Sequence, residues 1–211
     1  MTVRLLVEGL SARRGEALIF RDLDLSVASG EALLVTGRNG TGKSTLLRVL
    51  AGLLPAEAGQ IRLEGVRDPD ARIGESCHYL GHRNAMKRDL TVVENLIFWA
   101  AFTGSRDPSS TVGTALEAVG LDAIAHLPFG YLSAGQQRRI AIARLLVAPR
   151  PIWLLDEPTA ALDRASERMV EALIASHRAT GGLVIAATHQ PLDVPGAETL
   201  EMQGFVVEEE A

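Results

Sequence analysis

Cysteine, aromatic residues and long apolar runs are scarce in this sequence of 211 residues. Cys77 is the only cysteine, which excludes an internal disulfide and a cysteine-based zinc site and fits a reducing cytosol. The longest uninterrupted apolar run, residues 96–102, is far shorter than the roughly 20 residues of a membrane-spanning helix. The N-terminus lacks the apolar segment of a signal peptide. We therefore expect no direct membrane insertion, so that any membrane association passes through a partner.

Excess positive charge is also missing. The formal net charge is −5, with 21 Lys and Arg against 26 Asp and Glu, so we expect no nucleic-acid partner. Hydrophobic residues make up 47% of the chain and charged residues 22%, which is typical of a globular α/β protein. The length favours a single domain, residues 1–211, with room for a subdomain.

Glycine, in contrast, is concentrated between an apolar strand pattern and a helix pattern. The stretch has the form G-x-x-x-x-G-K-S, which predicts a phosphate-binding loop. Its glycines let backbone N–H groups turn inward toward phosphate, and the following helix adds the partial positive charge of its N-terminus. Lys43 can reach the β- and γ-phosphates of ATP, and the Ser44 hydroxyl can bind Mg²⁺. The predicted ATP-binding residues are Gly37, Arg38, Asn39, Gly40, Thr41, Gly42, Lys43, Ser44 and Thr45.

A pair of acids follows the apolar run 152–155. Asp156 would bind Mg²⁺, and Glu157 would activate the attacking water as a general base. Two acids can also end any strand that enters a turn. Because a phosphate-binding loop is present in the same chain, the nucleotide interpretation is favoured.

The apolar periodicity indicates three regions. Alternation over residues 3–36 predicts antiparallel strands, and the buried runs 152–155 and 183–187 alternate with helices, which predicts a parallel sheet. Thr91 and Glu94 form a capping-box pattern that opens a helical block, about 91–135, without strand pattern. We predict helices at 45–50, 91–103, 111–120, 134–147 and 164–180, a polar loop at 66–76 and an acidic tail at 208–210.

The pentapeptide Leu-Ser-Ala-Gly-Gln opens the predicted helix at 134. With the following Gln137, Arg138 and Arg139, it resembles the signature motif of ABC transporter ATPases. The resemblance extends over essentially the whole chain. It implies an α/β fold with a P-loop NTPase core of ABC ATPase type, a small N-terminal antiparallel β subdomain and an inserted helical subdomain at about 91–135.

The same resemblance implies roles for further residues. The chain would form a head-to-tail self-dimer in which the signature of one copy closes over ATP held by the phosphate loop of the other. Asp163, in the segment 160–163, would cross that interface. His189 would contact the γ-phosphate and orient Glu157, so that Lys43, Glu157 and His189 are the catalytic residues. The signature contacts would come from Ser133, Ala134, Gly135 and Gln136.

Two positions depart from the family pattern. Arg14 stands where an aromatic residue usually stacks on adenine; its guanidinium plane could stack in the same way, or it is an ordinary surface arginine. His82 stands at the Q-loop position, where most members have glutamine, and could serve as a metal or water contact or as a polar hinge.

The run 79–82, the signature and the run 96–99 resemble a subgroup, the ATP-binding subunits of heme exporters in bacterial cytochrome c maturation. This resemblance implies integral membrane partners and a peripheral place on the cytoplasmic face of the bacterial inner membrane. A subunit of an unrelated exporter and a soluble ABC ATPase remain alternatives.

Two further stretches contain residues of types that can form binding surfaces. Residues 82–90 with Phe98 and Trp99 are the expected docking surface for a membrane subunit, although the two aromatic side chains could equally be subdomain core. Cys77 and His78 lie in a predicted core strand, and we therefore do not expect a heme contact there.

Overall fold

The computed structural model describes residues 2–66 and 72–203. These residues form two compact units. The first comprises the described residues up to Gly81, residues 151–157 and the residues from Leu173 onward; the second comprises residues 82–150 and 158–172. The predicted acidic tail at 208–210 lies outside the described residues, as do residues 67–71 of the predicted polar loop.

The first unit contains two sheets. An antiparallel sheet has the strand order β2-β1-β4, and a parallel sheet has the order β5-β6-β7-β3-β8. The predicted α/β class with a small antiparallel β subdomain is confirmed. The strands are β1 (Arg4–Arg14), β2 (Ala17–Ala28), β3 (Ala32–Thr36), β4 (Ala58–Glu64), β5 (Cys77–Leu80), β6 (Ile152–Asp156), β7 (Leu183–Ala187) and β8 (Glu198–Glu201).

One apolar core joins these strands to the helix α1 (Lys43–Leu50). Strands β6 and β7 are buried at every residue, as expected of central strands in a parallel sheet that is covered on both faces. The side chains of Leu46, Leu47 and Leu50 on α1 are fully buried in the same core. This packing fixes the start of α1 near the carboxyl ends of the parallel strands, where ligands bind in folds of this kind.

The second unit is helical. It contains α3 (Val92–Phe102), α4 (Pro108–Ala118) and α5 (Ala134–Ala143), with 3₁₀ turns at Asp122–Ile124 and Phe129–Tyr131. The predicted capping box is present, since the Thr91 hydroxyl accepts from the Glu94 N–H at 3.2 Å and the Glu94 carboxylate accepts from the Thr91 N–H at 2.8 Å. The last helix among the residues that the structure describes, α6 (Arg164–Ala179), begins in this unit.

Some predicted boundaries were wrong. Helix α4 begins at Pro108 rather than Thr111, because Asp107 caps it and proline is well tolerated at the first helical position. Helix α5 ends at Ala143 and not at residue 147. A short helix, α2 (Ile73–Ser76), occupies part of the predicted loop, and strand β8 was not predicted because its residues are mostly polar and exposed.

Candidate nucleotide-binding site

The phosphate loop connects β3 to α1 in the first unit. Gly37, Gly40 and Gly42 have φ values of 130°, 88° and 101°, a region that L side chains rarely adopt. A Cβ at Gly37 would lie 2.5 Å from the Met202 carbonyl oxygen, and one at Gly42 would lie 2.4 Å from the Ile19 Cγ2. The loop therefore requires glycine at these two positions for space as well as for backbone conformation.

The Lys43 side chain lies inside the curl of this loop. Its Nζ donates to the carbonyl oxygens of Gly37 at 2.7 Å and of Arg38 at 3.0 Å, and the residue is 7% exposed. The Thr41 hydroxyl also donates to the Arg38 carbonyl, at 2.9 Å. Arg38, Asn39 and Gly40 are exposed at the tip, and Thr45 is half-buried in the first turn of α1. The loop thus holds one ammonium group next to the helix N-terminus.

Ser44 and Asp156 are brought together by α1 and β6, although 112 positions separate them in the sequence. The Ser44 hydroxyl donates to Asp156 Oδ1 at 2.9 Å, and Asp156 is 1% exposed at the carboxyl end of β6. A hydroxyl and a carboxylate are hard oxygen donors of the kind that Mg²⁺ takes alongside substrate phosphates. The two residues therefore fit the predicted metal role chemically.

The other oxygen of Asp156 has a partner that the sequence did not reveal. Tyr79, on β5, donates from its hydroxyl to Asp156 Oδ2 at 3.4 Å, and Arg48 Nε donates to the same hydroxyl at 3.3 Å. Burial is the largest cause that raises the pKa of Tyr79, against the lowering effect of its hydrogen bond with Arg48. That hydrogen bond with Tyr79 also raises the pKa of Arg48. Tyr79 is thus a neutral donor at physiological pH.

Glu157 directly follows Asp156 and points to His189. The imidazole Nδ1 lies 2.8 Å from Glu157 Oε1, and the His189 N–H donates to Oε2 at 3.5 Å. Glu157 has a φ of 50°, and its own N–H donates to the Ala187 carbonyl at 2.8 Å. A left-handed backbone at a non-glycine residue costs of order 1–3 kcal/mol and is concentrated at functional sites. The first unit therefore presents Lys43, Ser44, Asp156, Glu157 and His189 at the carboxyl edge of one sheet.

Three other candidate residues belong to this unit. Arg14 is exposed at the end of β1, where it pairs with Ala17 in the hairpin. Cys77 and His78 are buried on β5, and Cys77 is part of the apolar core. Their burial agrees with the structural role that the sequence favoured for them.

The signature residues lie at the start of α5 in the second unit. Ser133 caps the helix, since its hydroxyl accepts from the Gln136 N–H at 3.2 Å and the Gln136 side chain accepts from the Ser133 N–H at 2.9 Å. Ser133 and Ala134 are exposed, whereas Gly135 is half-buried and a Cβ there would lie 3.2 Å from the Ala161 carbonyl. The capping box thus presents a helix N-terminus on the surface of this unit.

Asp163 and His82 belong to the same unit. Hydrogen bonds from the backbone N–H and the hydroxyl of Ser166 lower the pKa of Asp163, which is exposed. His82 is exposed and lines a cavity of about 210 Å³. The Arg138 side chain also lines it and donates from Nε to the Pro158 carbonyl at 3.2 Å. The remaining lining residues are Asn84, Ala134, Gln137, Ala160 and Ala161.

Comparison with known proteins identifies the class. The family model described as "ABC transporter" matches residues 20–160. A solved structure of an ABC transporter ATP-binding protein from Pyrococcus furiosus has a TM-score of 0.81 and 26% sequence identity, and the alignment covers 94% of this chain and 97% of that one. The chain therefore belongs to the ATP-binding proteins of the ABC transporter family, which hydrolyse ATP to drive transport.

The chain is also similar over nearly its whole length to a more specific group of proteins. The "cytochrome c biogenesis ATP-binding export protein CcmA" of Rhizobium meliloti (strain 1021) is 63% identical over 206 residues, which cover 97% of this chain and 100% of that protein. The protein with the same description from Brucella abortus (strain 2308) is 49% identical over 217 residues, with 98% and 99% coverage.

Proposed function

We propose that this chain is the ATP-hydrolysing subunit of a heme exporter that serves c-type cytochrome biogenesis. The assignment of ATP hydrolysis rests on one observation. Glu157 and His189 are paired next to the pair formed by Ser44 and Asp156. The assignment to c-type cytochrome biogenesis is supported by the full-length similarity to proteins described as cytochrome c biogenesis export proteins. The proposal also includes a single ABC ATPase domain, residues 1–211, with a helical insertion at about 91–135.

Binding of ATP is assigned to the phosphate loop. Backbone N–H groups of the loop and the N-terminus of α1 would bind the β-phosphate, and Lys43 would exchange its carbonyl partners for β- and γ-phosphate oxygens. Ser44 and Asp156 would hold Mg²⁺, which when bound offsets the charge of the phosphates. Arg14 lies at the position where adenine stacking occurs in the family, and we assign it the weaker stacking of a guanidinium plane.

Hydrolysis is assigned to Glu157. Its carboxylate accepts a proton from the attacking water, and His189 fixes the direction of that carboxylate through the 2.8 Å contact between Nδ1 and Oε1. His189 is about half-exposed, with 48% of its side chain accessible, and we assign its other ring nitrogen to the γ-phosphate. Because the Glu157 N–H is bound to the Ala187 carbonyl, the backbone holds the base in place before ATP arrives.

Two copies are needed to complete each site. At the N-terminus of α5, Ser133 and Ala134 are exposed, and Gly135 and Gln136 are half-buried. We assign the γ-phosphate of ATP bound to a second copy to this helix end. Asp163 lies in the segment that crosses this interface, and His82 acts as a polar hinge beside the cavity at the signature helix. The proposed assembly is a head-to-tail dimer that encloses two ATP molecules.

The proposed membrane partner docks on α3 and the loop that precedes it. Phe98 is 59% exposed and Phe102 is 71% exposed, and their rings stack with centroids 6.1 Å apart. Exposure of this size favours the docking interpretation over the subdomain-core alternative. Among the residues that the structure describes, none of the helices is long and apolar enough to span a bilayer. We place the chain on the cytoplasmic face of the bacterial inner membrane, bound to an integral membrane subunit.

The loop before α3 is held firmly to that helix. Buried Asn95 accepts from the Lys87 N–H at 2.8 Å and donates to the Lys87 carbonyl at 3.0 Å, and the Trp99 indole donates to the Ala85 carbonyl at 2.9 Å. The Arg144 guanidinium lies 4.5 Å from the Trp99 ring centroid. Burial lowers the pKa of Arg144 to about 10, and the like charge of Arg138 acts in the same direction. The docking loop is therefore connected, through Trp99 on α3, to Arg144 at the end of α5.

Charge changes on this loop should weaken membrane association. We expect Met86→Glu and Lys87→Glu to reduce co-purification of the membrane subunit by about tenfold, because each adds a negative charge at the docking surface. Lys87 is exposed, and its backbone rather than its side chain makes the contacts with Asn95, so folding should be preserved. Arg21→Glu, the same charge reversal at an exposed position on β2, is the matched control. If the loop variants remain fully membrane-bound, the docking site lies elsewhere.

Two alternative functions remain. A soluble ABC ATPase that acts on nucleic acid would fractionate away from membranes, and the net charge of −5 does not favour that partner. A subunit of an unrelated exporter would fractionate with membranes but co-purify with a different membrane protein. Affinity purification of the tagged chain from solubilised membranes, followed by identification of the membrane subunit, tests the proposed function against both.

A further inference from the structure

The carboxylate of Asp156 has a specific partner on each oxygen. Oδ1 accepts from the Ser44 hydroxyl at 2.9 Å and Oδ2 accepts from the Tyr79 hydroxyl at 3.4 Å. A carboxylate that has one fixed oxygen can still rotate about its terminal torsion, since that torsion is broad. A donor on the second oxygen restricts this rotation and fixes which oxygen faces Ser44.

Strand pairing explains why Tyr79 reaches Asp156. In the parallel pair of β5 and β6, Tyr79 is opposite Leu154, two positions before Asp156. The phenol ring extends along the strand direction over Gly81, where an added Cβ would lie 2.9 Å from Tyr79 Cε1 and 3.0 Å from its hydroxyl oxygen. Glycine at position 81 therefore leaves the space that the ring occupies.

Arg48 orients the hydroxyl. Its Nε–H donates to the Tyr79 oxygen at 3.3 Å, so the hydroxyl accepts from Arg48 and its own proton is directed at Asp156. Arg48 lies on α1, the helix that begins at Lys43. The hydrogen bonds thus run from the phosphate-loop helix through a tyrosine on β5 to the acid at the end of β6.

We propose that Tyr79 is a positioning residue for the metal site: its hydroxyl holds Asp156 so that Oδ1 is presented beside Ser44. Tyr79 does not touch the metal or the nucleotide in this role. Hydrogen-bond partners behind a metal ligand typically account for 10- to 100-fold in metal affinity or activity. The inference rests on the proposed function insofar as Ser44 and Asp156 hold the Mg²⁺ that accompanies ATP.

The test compares ADP affinity with and without Mg²⁺ in wild type and Tyr79→Phe. Isothermal titration calorimetry gives the dissociation constant of ADP in EDTA and in excess Mg²⁺. The constant in EDTA divided by the constant in Mg²⁺ reports the contribution of the metal site. We expect the ratio to fall about tenfold in Tyr79→Phe while the affinity in EDTA stays unchanged. A ring that served only for packing would leave the ratio unaltered, since phenylalanine preserves the ring.

Two further variants complete the design. Tyr131→Phe removes a hydroxyl from an 82% exposed tyrosine and should leave the ratio at the wild-type value. Gly81→Ala leaves the tyrosine intact but displaces its ring, and it should lower the ratio as Tyr79→Phe does. An unchanged ratio in Tyr79→Phe overturns the role of Tyr79 alone. Wild-type protein whose ADP affinity does not depend on Mg²⁺ would instead overturn the metal site of the proposed function.

Discussion

Replacing Glu157 by glutamine should leave ATP binding intact and slow hydrolysis by roughly 10²- to 10⁴-fold, the range that a positioned general base contributes. Glutamine keeps the shape of the side chain and can still pair with the His189 ring, but it cannot take the proton of the attacking water. The backbone that positions residue 157, with its N–H on the Ala187 carbonyl, does not depend on the carboxylate. The variant should therefore fold normally.

The same substitution should trap the closed dimer. Because closure precedes hydrolysis, ATP should remain enclosed between two copies, and both the purified subunit and the solubilised membrane complex can be examined by size-exclusion chromatography with and without ATP. Phosphate release measures turnover. Glu201→Gln makes the same change at an exposed position on β8 and should behave as wild type. Wild-type turnover by Glu157→Gln would show that another group acts as the base.

Replacing Lys43 by alanine should weaken ATP binding strongly and reduce hydrolysis by about 10²- to 10³-fold or more, as loss of a charged donor on a transferring group does. The ammonium group is the charge that the loop holds closest to the phosphates, with its hydrogen bonds to the carbonyls of Gly37 and Arg38 already formed. Alanine removes this cation, so that only the backbone N–H groups of the loop and the N-terminus of α1 would attract the phosphates.

Lys87→Ala is the matched control, because Lys87 is the other lysine of the chain and its side chain is exposed. Fluorescent nucleotide titration reports binding and phosphate release reports turnover. If Lys43→Ala binds and hydrolyses ATP like wild type, the assignment of the phosphate loop is wrong.

Local sequence predicted the parts of the site that are contiguous. The residues from Gly37 to Ser44 form one segment whose glycines and lysine act together, so their pattern can be recognised without knowledge of the fold. The capping box at Thr91 also depends only on residues close in sequence, and the structure confirms it. Asp156 and Glu157 could be singled out because they follow a short, fully apolar run that favours a buried strand, and the structure has a strand there.

Features that depend on packing between distant segments could not be predicted. Tyr79 meets Asp156 only through the register of β5 on β6, and Arg48 meets Tyr79 only through the packing of α1. The composition of residues 79–82 carried no signal for that contact beyond a tyrosine next to a glycine. The left-handed φ of Glu157 is likewise set by the carbonyl of Ala187 on the neighbouring strand.

The exposure of the aromatic residues on α3 also required the structure. The sequence assigned Phe98 and Trp99 to a helix but could not say which side of it was covered, since all of residues 96–102 are apolar. Helix α3 packs against α4, and Leu96 and Ala100 are fully buried, whereas Phe98 and Phe102 are exposed. The edge strand β8 was not predicted because it is mostly polar, and edge strands need few apolar residues.

The most direct test of the proposed function is heme staining of denatured membrane proteins from cells whose only copy of this chain carries Lys43→Ala or Glu157→Gln. Covalently attached heme survives denaturation, so the stain reports holo c-type cytochromes, and spectra of intact membranes report b-type cytochromes, which need no covalent attachment. We expect c-type staining to be lost in both variants, restored by wild-type chain, and b-type spectra to remain normal. Normal c-type staining in cells that contain only the inactive protein would contradict the role in cytochrome biogenesis.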